Sequence, residues 1–131
     1  MASILRVNTL TDASSNNSIA TSTVFSGSAK AWAKIAANGA SILDSFNVSS
    51  HDDDGSGDGG IHINNAMDSA NYVIQLTVDD GGAGSSVNSV EVTDGTQAAG
   101  SFDYENNYVN SGENRVAFDV DRYIAVLGDL A

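Results

Sequence analysis

The segment of the sequence best equipped for chemistry is the acidic, glycine-rich stretch 51–60, HDDDGSGDGG. Carboxylates at alternate positions in a glycine-rich loop can surround Ca²⁺ with oxygen ligands, and Asp54 and Asp58 follow the spacing that opens an EF-hand loop. The twelfth position of that register holds Asn65 instead of a bidentate glutamate, and no helical pattern flanks the segment. We interpret the stretch as a solvated hairpin loop with charged tips and keep Asp52, Asp54 and Asp58 as subordinate calcium candidates.

Other metal and catalytic patterns are weaker. His51 and His62 are the only histidines, neither has a partner two or four residues away, and the chain has no cysteine. The sequence contains no Gly-x-Ser-x-Gly elbow, and carboxylate pairs such as Asp79 and Asp80 are expected by chance at this acidic density. The sequence therefore predicts a protein that is not an enzyme, with no catalytic residue, no cofactor and no metal site.

A tryptophan between two lysines is the remaining candidate for binding. Lys30, Trp32 and Lys34 alternate, so a strand would place them on one face, with the lysine stems beside the indole. Such a face could bind a sugar. It could also pack at a subunit interface or against the N-terminal segment, and we favour this second interpretation because exposing an indole to water is costly.

The elements that must position these residues are strands. Period-two alternation recurs along the chain, and no segment carries a convincing helical stripe of normal length. The sequence predicts an all-β fold, an antiparallel sandwich or barrel. Its strands are expected at Ala29–Ala36, Ile42–Val48, Gly60–Asn64, Asn71–Val78, Val87–Thr93, Phe102–Val109, Arg115–Val120 and Arg122–Leu127.

The hydrophobic core can be read from the clearest of these alternations. One face of the strand at 71–78 carries only apolar or aromatic residues, and we expect it to point inward. Its residues are Tyr72, Ile74, Leu76 and Val78, with Phe46, Phe118 and Val126 as expected neighbours. Met67 should plug the core just before this strand.

The first 28 residues differ from the rest. A short alternating run at 3–10 is followed by a polar, Asn- and Ser-rich stretch that we interpret as an extended connector. We therefore divide the chain into an N-terminal arm, 1–28, and a β-rich body, 29–131. Because an isolated strand invites pairing with another chain, the arm is predicted to serve in assembly or anchoring. The residues expected to do so are Ile4, Leu5, Val7 and Leu10.

Composition narrows the possible partners. The net charge of −12 opposes binding to nucleic acid, and no apolar run is long enough to insert into a membrane. Seventeen alanines imply a thin monomer core, and such a core is commonly completed by another subunit. The N-terminus lacks the features of a signal peptide, so synthesis in the cytoplasm without export is expected.

Six segments spread over nearly the whole chain carry a resemblance to a known family. They are ILRVNTLTDAS at 4–14, GSAKAW at 27–32, SFNVSS at 45–50, GDGGIHI at 57–63, AMDSANY at 66–72 and DRYIAVLGD at 121–129. Together they resemble a group of small β-rich virion structural or tail-fibre-like domains of phages that infect cyanobacteria and other aquatic bacteria. The motifs of this family are structural, not catalytic.

The resemblance implies a homotrimer on the virion surface, made in the host cytoplasm and in contact with other virion proteins such as capsid or tail. Only about 28 residues precede the body, which favours a capsid decoration or cement subunit, or a short appendage, over the tip of a long fibre. The alternative is a tail-fibre receptor-binding module that recognises carbohydrate on the host surface.

Overall fold

The computed structural model describes residues 6–15, 17–37, 39, 41–80 and 87–131. Strands make up 55% of the chain and helix 6%, and every ladder is antiparallel, so the predicted all-β class is confirmed. In chain order the elements are β1 Thr9–Thr11, β2 Ser18–Ala20, α1 Thr21–Gly27, β3 Ala29–Ile35, β4 Ile42–Phe46, β5 Val48–Gly55, β6 Asp58–Ile63, β7 Val73–Val78, β8 Val87–Val92, β9 Ser101–Val109, β10 Arg115–Ala117 and β11 Arg122–Leu127.

The body consists of two sheets. Sheet I has the strand order β4-β3-β11-β7, and sheet II contains β5, β6, β8, β9 and β10. In sheet II, β8 lies along one side of β9, while β6 and β10 follow each other along its other side. Buried residues of both sheets form one hydrophobic cluster, so the sheets pack face to face as a sandwich.

Small residues of sheet I face large residues of sheet II across this core. Ala31 and Ala33 are buried on β3, and Phe102 and Tyr104 of β9 are fully buried within the same cluster. Alternating small and large side chains lets two layers interdigitate without voids. Met67 is 1% exposed, which confirms its predicted position in the core.

The alternation along β7 is confirmed. Tyr72, just before the strand, is buried, and Ile74 and Leu76 are half-buried against the core cluster. Val126 of β11 is fully buried beside Ile74, as expected. The side chains on the other face of β7 are exposed, namely those of Val73, Gln75 and Thr77.

The prediction that Phe46 lies in the core is wrong. Phe46 is 55% exposed and pairs with Trp32 on the outer face of sheet I. The reason is an irregularity in the ladder between β3 and β4, where the pairing passes from Ile42 to Asp44 and leaves Leu43 without a partner. One extra residue reverses the face of every later side chain on the strand.

Phe118, the other expected aromatic neighbour, has a separate environment. It is half-buried and stacks edge-on with Tyr108 of β9, at 5.2 Å between ring centroids.

The acidic stretch forms an exposed hairpin, as interpreted from the sequence, but the strands extend further into it than predicted. β5 runs through the aspartates as far as Gly55, and only Ser56 and Gly57 form the turn before β6 begins at Asp58. A strand of low apolar content is tolerated here because one face of the sheet is open to water. The sequence pattern alone does not indicate that β5 has such an open face.

The N-terminal segment is not the extended connector that was predicted. Thr9–Thr11 and Ser18–Ala20 form a hairpin, and α1 follows at once. α1 buries none of its residues. Val7 and Leu10 are exposed, while Ile4 and Leu5 lie outside the described residues.

No helix in the described part of the chain is long and apolar enough to cross a membrane.

Candidate interaction surfaces

The outer face of sheet II is strongly acidic, and we call it the acidic face. Cross-strand pairing of β5, β6, β8 and β9 brings its carboxylates into two neighbouring rows. These carboxylates belong to Asp52, Asp58, Glu91, Asp103 and Glu105. Arg115 of β10 bonds to both Glu91 and Glu105, so part of this charge is balanced within the chain.

The three calcium candidates do not form a common ligand set. Asp52 is bonded to the imidazole of His62, with 2.7 Å between Oδ2 and Nε2. Burial, together with the nearby charges of Glu105 and Asp54, raises the pKa of Asp58. Among the described residues, no group of three or more histidine, aspartate or glutamate side chains is placed to hold a metal ion.

The outer face of sheet I is apolar in character, and we call it the aromatic face. It carries the exposed side chains of Trp32, Phe46, Val73 and Tyr123. Trp32 pairs with Phe46 on one side and with Ala125 on the other, so these residues form a continuous row across three strands.

A shallow groove runs along the aromatic face beside Tyr123. It has a volume of about 520 Å³ and lies between β7 and β11. Gln75 and Thr77 line one side, and Tyr123 and Ala125 line the other. The groove thus combines an aromatic ring with amide and hydroxyl groups that can form hydrogen bonds.

The predicted arrangement of two lysines around an indole is wrong. The Nζ of Lys30 is turned to the start of its strand, where it donates to the Ser28 carbonyl at 3.1 Å and to the Ser28 hydroxyl at 2.9 Å. The Nζ of Lys34 lies 3.0 Å from Asp121 and 5.2 Å from the centre of the Tyr123 ring. Of the three predicted residues, Trp32 alone belongs to the exposed aromatic row.

A buried arginine is the principal feature that the sequence-based interpretation missed. Arg122 of β11 is 1% exposed, and its Nη2 lies 2.9 Å from Oδ1 of Asp119. Its guanidinium carbon lies 5.4 Å from the centre of the Tyr104 ring, while Nε and Nη1 are buried without a hydrogen-bond partner in the structure. The sequence did contain a signal for this burial, because Arg122 lies on the same strand face as Ile124 and Val126, which point into the core.

His51 completes this buried polar cluster. Its Nε2 lies 2.7 Å from the hydroxyl of Tyr104, and the two rings are stacked with centroids 6.0 Å apart. Burial and the nearby charge of Arg122 lower the pKa of His51, and burial raises the pKa of Tyr104 to about 12. Both rings are therefore held neutral beside a permanent positive charge.

The two histidines should differ in their effect on stability. Because the pKa of His51 is below its ordinary value of 6.5 in the folded state, the unfolded chain binds this proton more readily. We expect His51 to lower the free energy of unfolding progressively as the pH falls below about 6.5. The check is a series of thermal melts between about pH 7.5 and about pH 5, comparing the wild type with His51→Gln.

The matched control for this prediction is His62→Gln, which removes the exposed histidine of the acidic face. The loss of stability in acid should be smaller in His51→Gln and should persist in His62→Gln. Equal slopes for the two variants would contradict the burial-driven shift.

Comparisons of this chain with protein-family models, with curated proteins and with solved structures find no match. Any functional assignment therefore depends on the residues and their geometry.

Proposed function

We propose that this protein is a non-enzymatic structural subunit of a bacteriophage particle, a homotrimer on the virion surface that acts as capsid decoration, cement or a short appendage. One observation carries the part of the proposal that concerns assembly. The hairpin and helix of residues 9–27, which we call the N-terminal unit, leave four sizeable apolar side chains exposed. These belong to Leu10, Ile19, Val24 and Phe25, and Phe25 is 68% exposed.

Such a segment is suited to packing against something outside its own chain. The unit has no buried residue in α1, and in the described part of the chain the main packing of this helix is against β2 of the same unit. Burying an apolar side chain of this size is worth about 1.5–3 kcal/mol. Four such side chains therefore offer a substantial driving force for association.

Charge points to the same segment. The only charged residue of 9–27 is Asp12, whereas the chain as a whole has a net charge of −12. Like-charged bodies repel one another, so contact between copies is least opposed where charge is sparse. The N-terminal unit meets this condition.

The assignment to a phage particle rests on the resemblance of the six sequence segments to virion structural domains. The acidic composition is compatible with it, because a surface subunit needs no contact with the packaged nucleic acid. Other virion proteins such as capsid or tail are the partners that this role requires.

Assembly can be tested by light scattering coupled to chromatography. We expect the full chain to elute at three times its mass of 13.4 kDa. Deletion of residues 2–25 should give a monomer that retains its β-sheet circular dichroism and a cooperative melt. A full chain that remains monomeric at micromolar concentration, or a truncated chain that is still trimeric, would refute the proposed mode of assembly.

A point variant with a matched control makes the same test without deletion. Phe25→Asp places a charge among the apolar side chains of α1 and should dissociate the trimer. Ser22→Asp adds the same charge to an exposed serine of the same helix and should leave it intact. The virion role itself is checked by mass spectrometry of purified particles, in which absence of the protein would contradict it.

The second candidate is a receptor-binding module for host surface carbohydrate. It is favoured by the groove beside Tyr123, whose volume of about 520 Å³ lies within the ordinary range of ligand sites. Calorimetric titration of host glycan fragments tests it. Binding that Tyr123→Ala removes and Ser89→Ala preserves would favour this alternative over a purely structural role.

A further inference from the structure

Two apolar surfaces have no partner among the residues that the structure describes. One is the N-terminal unit, and the other is the aromatic face of sheet I, where Trp32 is 38% exposed and Phe46 is 55% exposed. We infer that the two surfaces bind each other between copies: the N-terminal unit of one subunit packs on the aromatic face of the next. This inference rests on the proposed function and identifies the surface that receives the segment.

Hydrogen bonds at the junction between helix and body tie the end of α1 to the start of β3. Only Ser28 separates α1 from β3, and its backbone N–H donates to the Val24 carbonyl at 3.1 Å. The Ser28 hydroxyl donates to the Phe25 carbonyl at 3.1 Å, and Lys30 donates to both oxygens of Ser28. The buried Lys30 thus fixes the direction of the helix, and this is the function that the structure assigns to that lysine.

Charge complementarity favours the aromatic face over the acidic face as the receiving surface. On the aromatic face, Lys34 is paired with Asp121 and lies opposite Asp44 in the ladder between β3 and β4. The acidic face sets five carboxylates against one arginine and one histidine, so it keeps a net negative charge. A nearly neutral segment that must desolvate its apolar side chains loses less by covering a surface of low charge density.

The dimensions of the two surfaces agree. Seven residues of α1 span about 10 Å along the helix axis. Sheet I has four strands, which at about 4.8 Å spacing extend for about 14 Å. A helix of this length can therefore lie across the strands of this sheet.

The symmetry of the arrangement is compatible with a trimer. A contact between two different surfaces of the same chain is heterologous, so each subunit both donates and receives. Such contacts form a closed ring when the successive rotations between neighbouring subunits add up to a full turn. In a ring of three, every N-terminal unit is bound and every aromatic face is covered. Packing of two aromatic faces against each other would instead give a twofold dimer.

Site-specific cross-linking tests the inference directly, because the natural chain has no cysteine. A Ser26→Cys chain is mixed with a Gln75→Cys chain and treated with a short bis-maleimide. Ser26 is an exposed residue of α1, and Gln75 is an exposed residue of the aromatic face. We expect a heterologous cross-link between these positions, identified by mass spectrometry of the joined peptides.

The matched control replaces Gln75→Cys with Ser89→Cys, which lies in β8 of sheet II and is also exposed. We expect this pair to cross-link at least tenfold less. If light scattering shows a trimer but Ser26→Cys joins Ser89→Cys instead, the inference is overturned and the proposed function stands. If the chain is monomeric, both fail.

Two other occupants of the aromatic face would be recognised in the same experiment. Cross-linking of Gln75→Cys with itself, in preference to Ser26→Cys, would show that two aromatic faces meet and would overturn the inference. Absence of any cross-link, together with glycan binding that Tyr123→Ala removes, would identify carbohydrate as the occupant and would also overturn it.

Discussion

Replacing Asp119 with alanine is expected to lower the free energy of unfolding by about 2–4 kcal/mol. Asp119 holds the buried guanidinium of Arg122 through a 2.9 Å ion pair, and Nε and Nη1 of that arginine have no hydrogen-bond partner to compensate. The expected value lies at the lower end of the range for buried pairs because the Asp119 side chain is 36% exposed. Thermal or denaturant unfolding measures the change.

The same carboxylate also organises the turn of the acidic hairpin. It accepts a hydrogen bond from the backbone N–H of Gly57 at 2.7 Å. Burial alone would raise the pKa of Asp119, but the hydrogen bond from Gly57 and the ion pair with Arg122 lower it below 3.8. The stabilisation is therefore present above about pH 4 and is lost as the pH falls through the folded pKa.

A neighbouring aspartate provides the control. Asp121 forms its ion pair with Lys34 at the protein surface, where water screens the charges, so Asp121→Ala should destabilise the fold clearly less than Asp119→Ala does. The double variant Asp119→Ala with Arg122→Met should recover much of the loss, because an apolar side chain then replaces the buried charge. Equal losses for Asp119→Ala and Asp121→Ala, or no recovery in the double variant, would contradict this account.

Gly57→Ala is expected to lower the free energy of unfolding by about 2–5 kcal/mol, of which about 1–2 come from the left-handed backbone and about 1–3 from steric overlap. Gly57 has a φ of +80° and lies where β6 and β10 meet along β9. A Cβ at this position would overlap the carbonyl oxygen of Asn106 and would lie 2.9 Å from the backbone nitrogen of Phe118. Backbone atoms cannot move aside as a flexible side chain can.

Gly95→Ala separates the two contributions. Gly95 has nearly the same backbone angle, a φ of +76°, but no atom lies within 4 Å of a Cβ placed there. It should lose only the conformational part, about 1–2 kcal/mol. Melting temperatures of the two variants test this separation. If Gly95→Ala is as destabilising as Gly57→Ala, steric overlap at Gly57 does not contribute to the loss of stability.

Local patterns in the sequence were sufficient to predict most of the sandwich. The alternation of β7 correctly placed Ile74 and Leu76 toward the core, because a strand has a strict period of two. Phe46 was misplaced because one extra residue in a neighbouring strand reverses the faces, and sequence pattern does not reveal such a bulge. β5 was missed because its aspartates disfavour strands, and only pairing with β6 overrides that preference.

Site prediction depended more heavily on tertiary structure. Trp32 was singled out as a candidate contact residue; the structure shows it exposed, and its role in contacts stays a prediction. Its partners on the aromatic face, Phe46 and Tyr123, are brought beside it only by pairing with β4 and β11. The lysines were misassigned because long flexible side chains take the nearest acceptors, here Ser28 and Asp121, which alternation does not specify.

The position of β11 inside sheet I sets the order in which the chain can fold. β3 pairs directly with β11. The core of sheet I therefore cannot form until residues 122–127 have paired with residues 29–35. The β5–β6 hairpin needs only neighbouring residues and can form early, whereas pairing across such a long separation is slow. During that interval the inner side of β3 stays unprotected. Hydrogen exchange during refolding should therefore show protection in β5 and β6 before β11, and subunits can begin to join only after this late step.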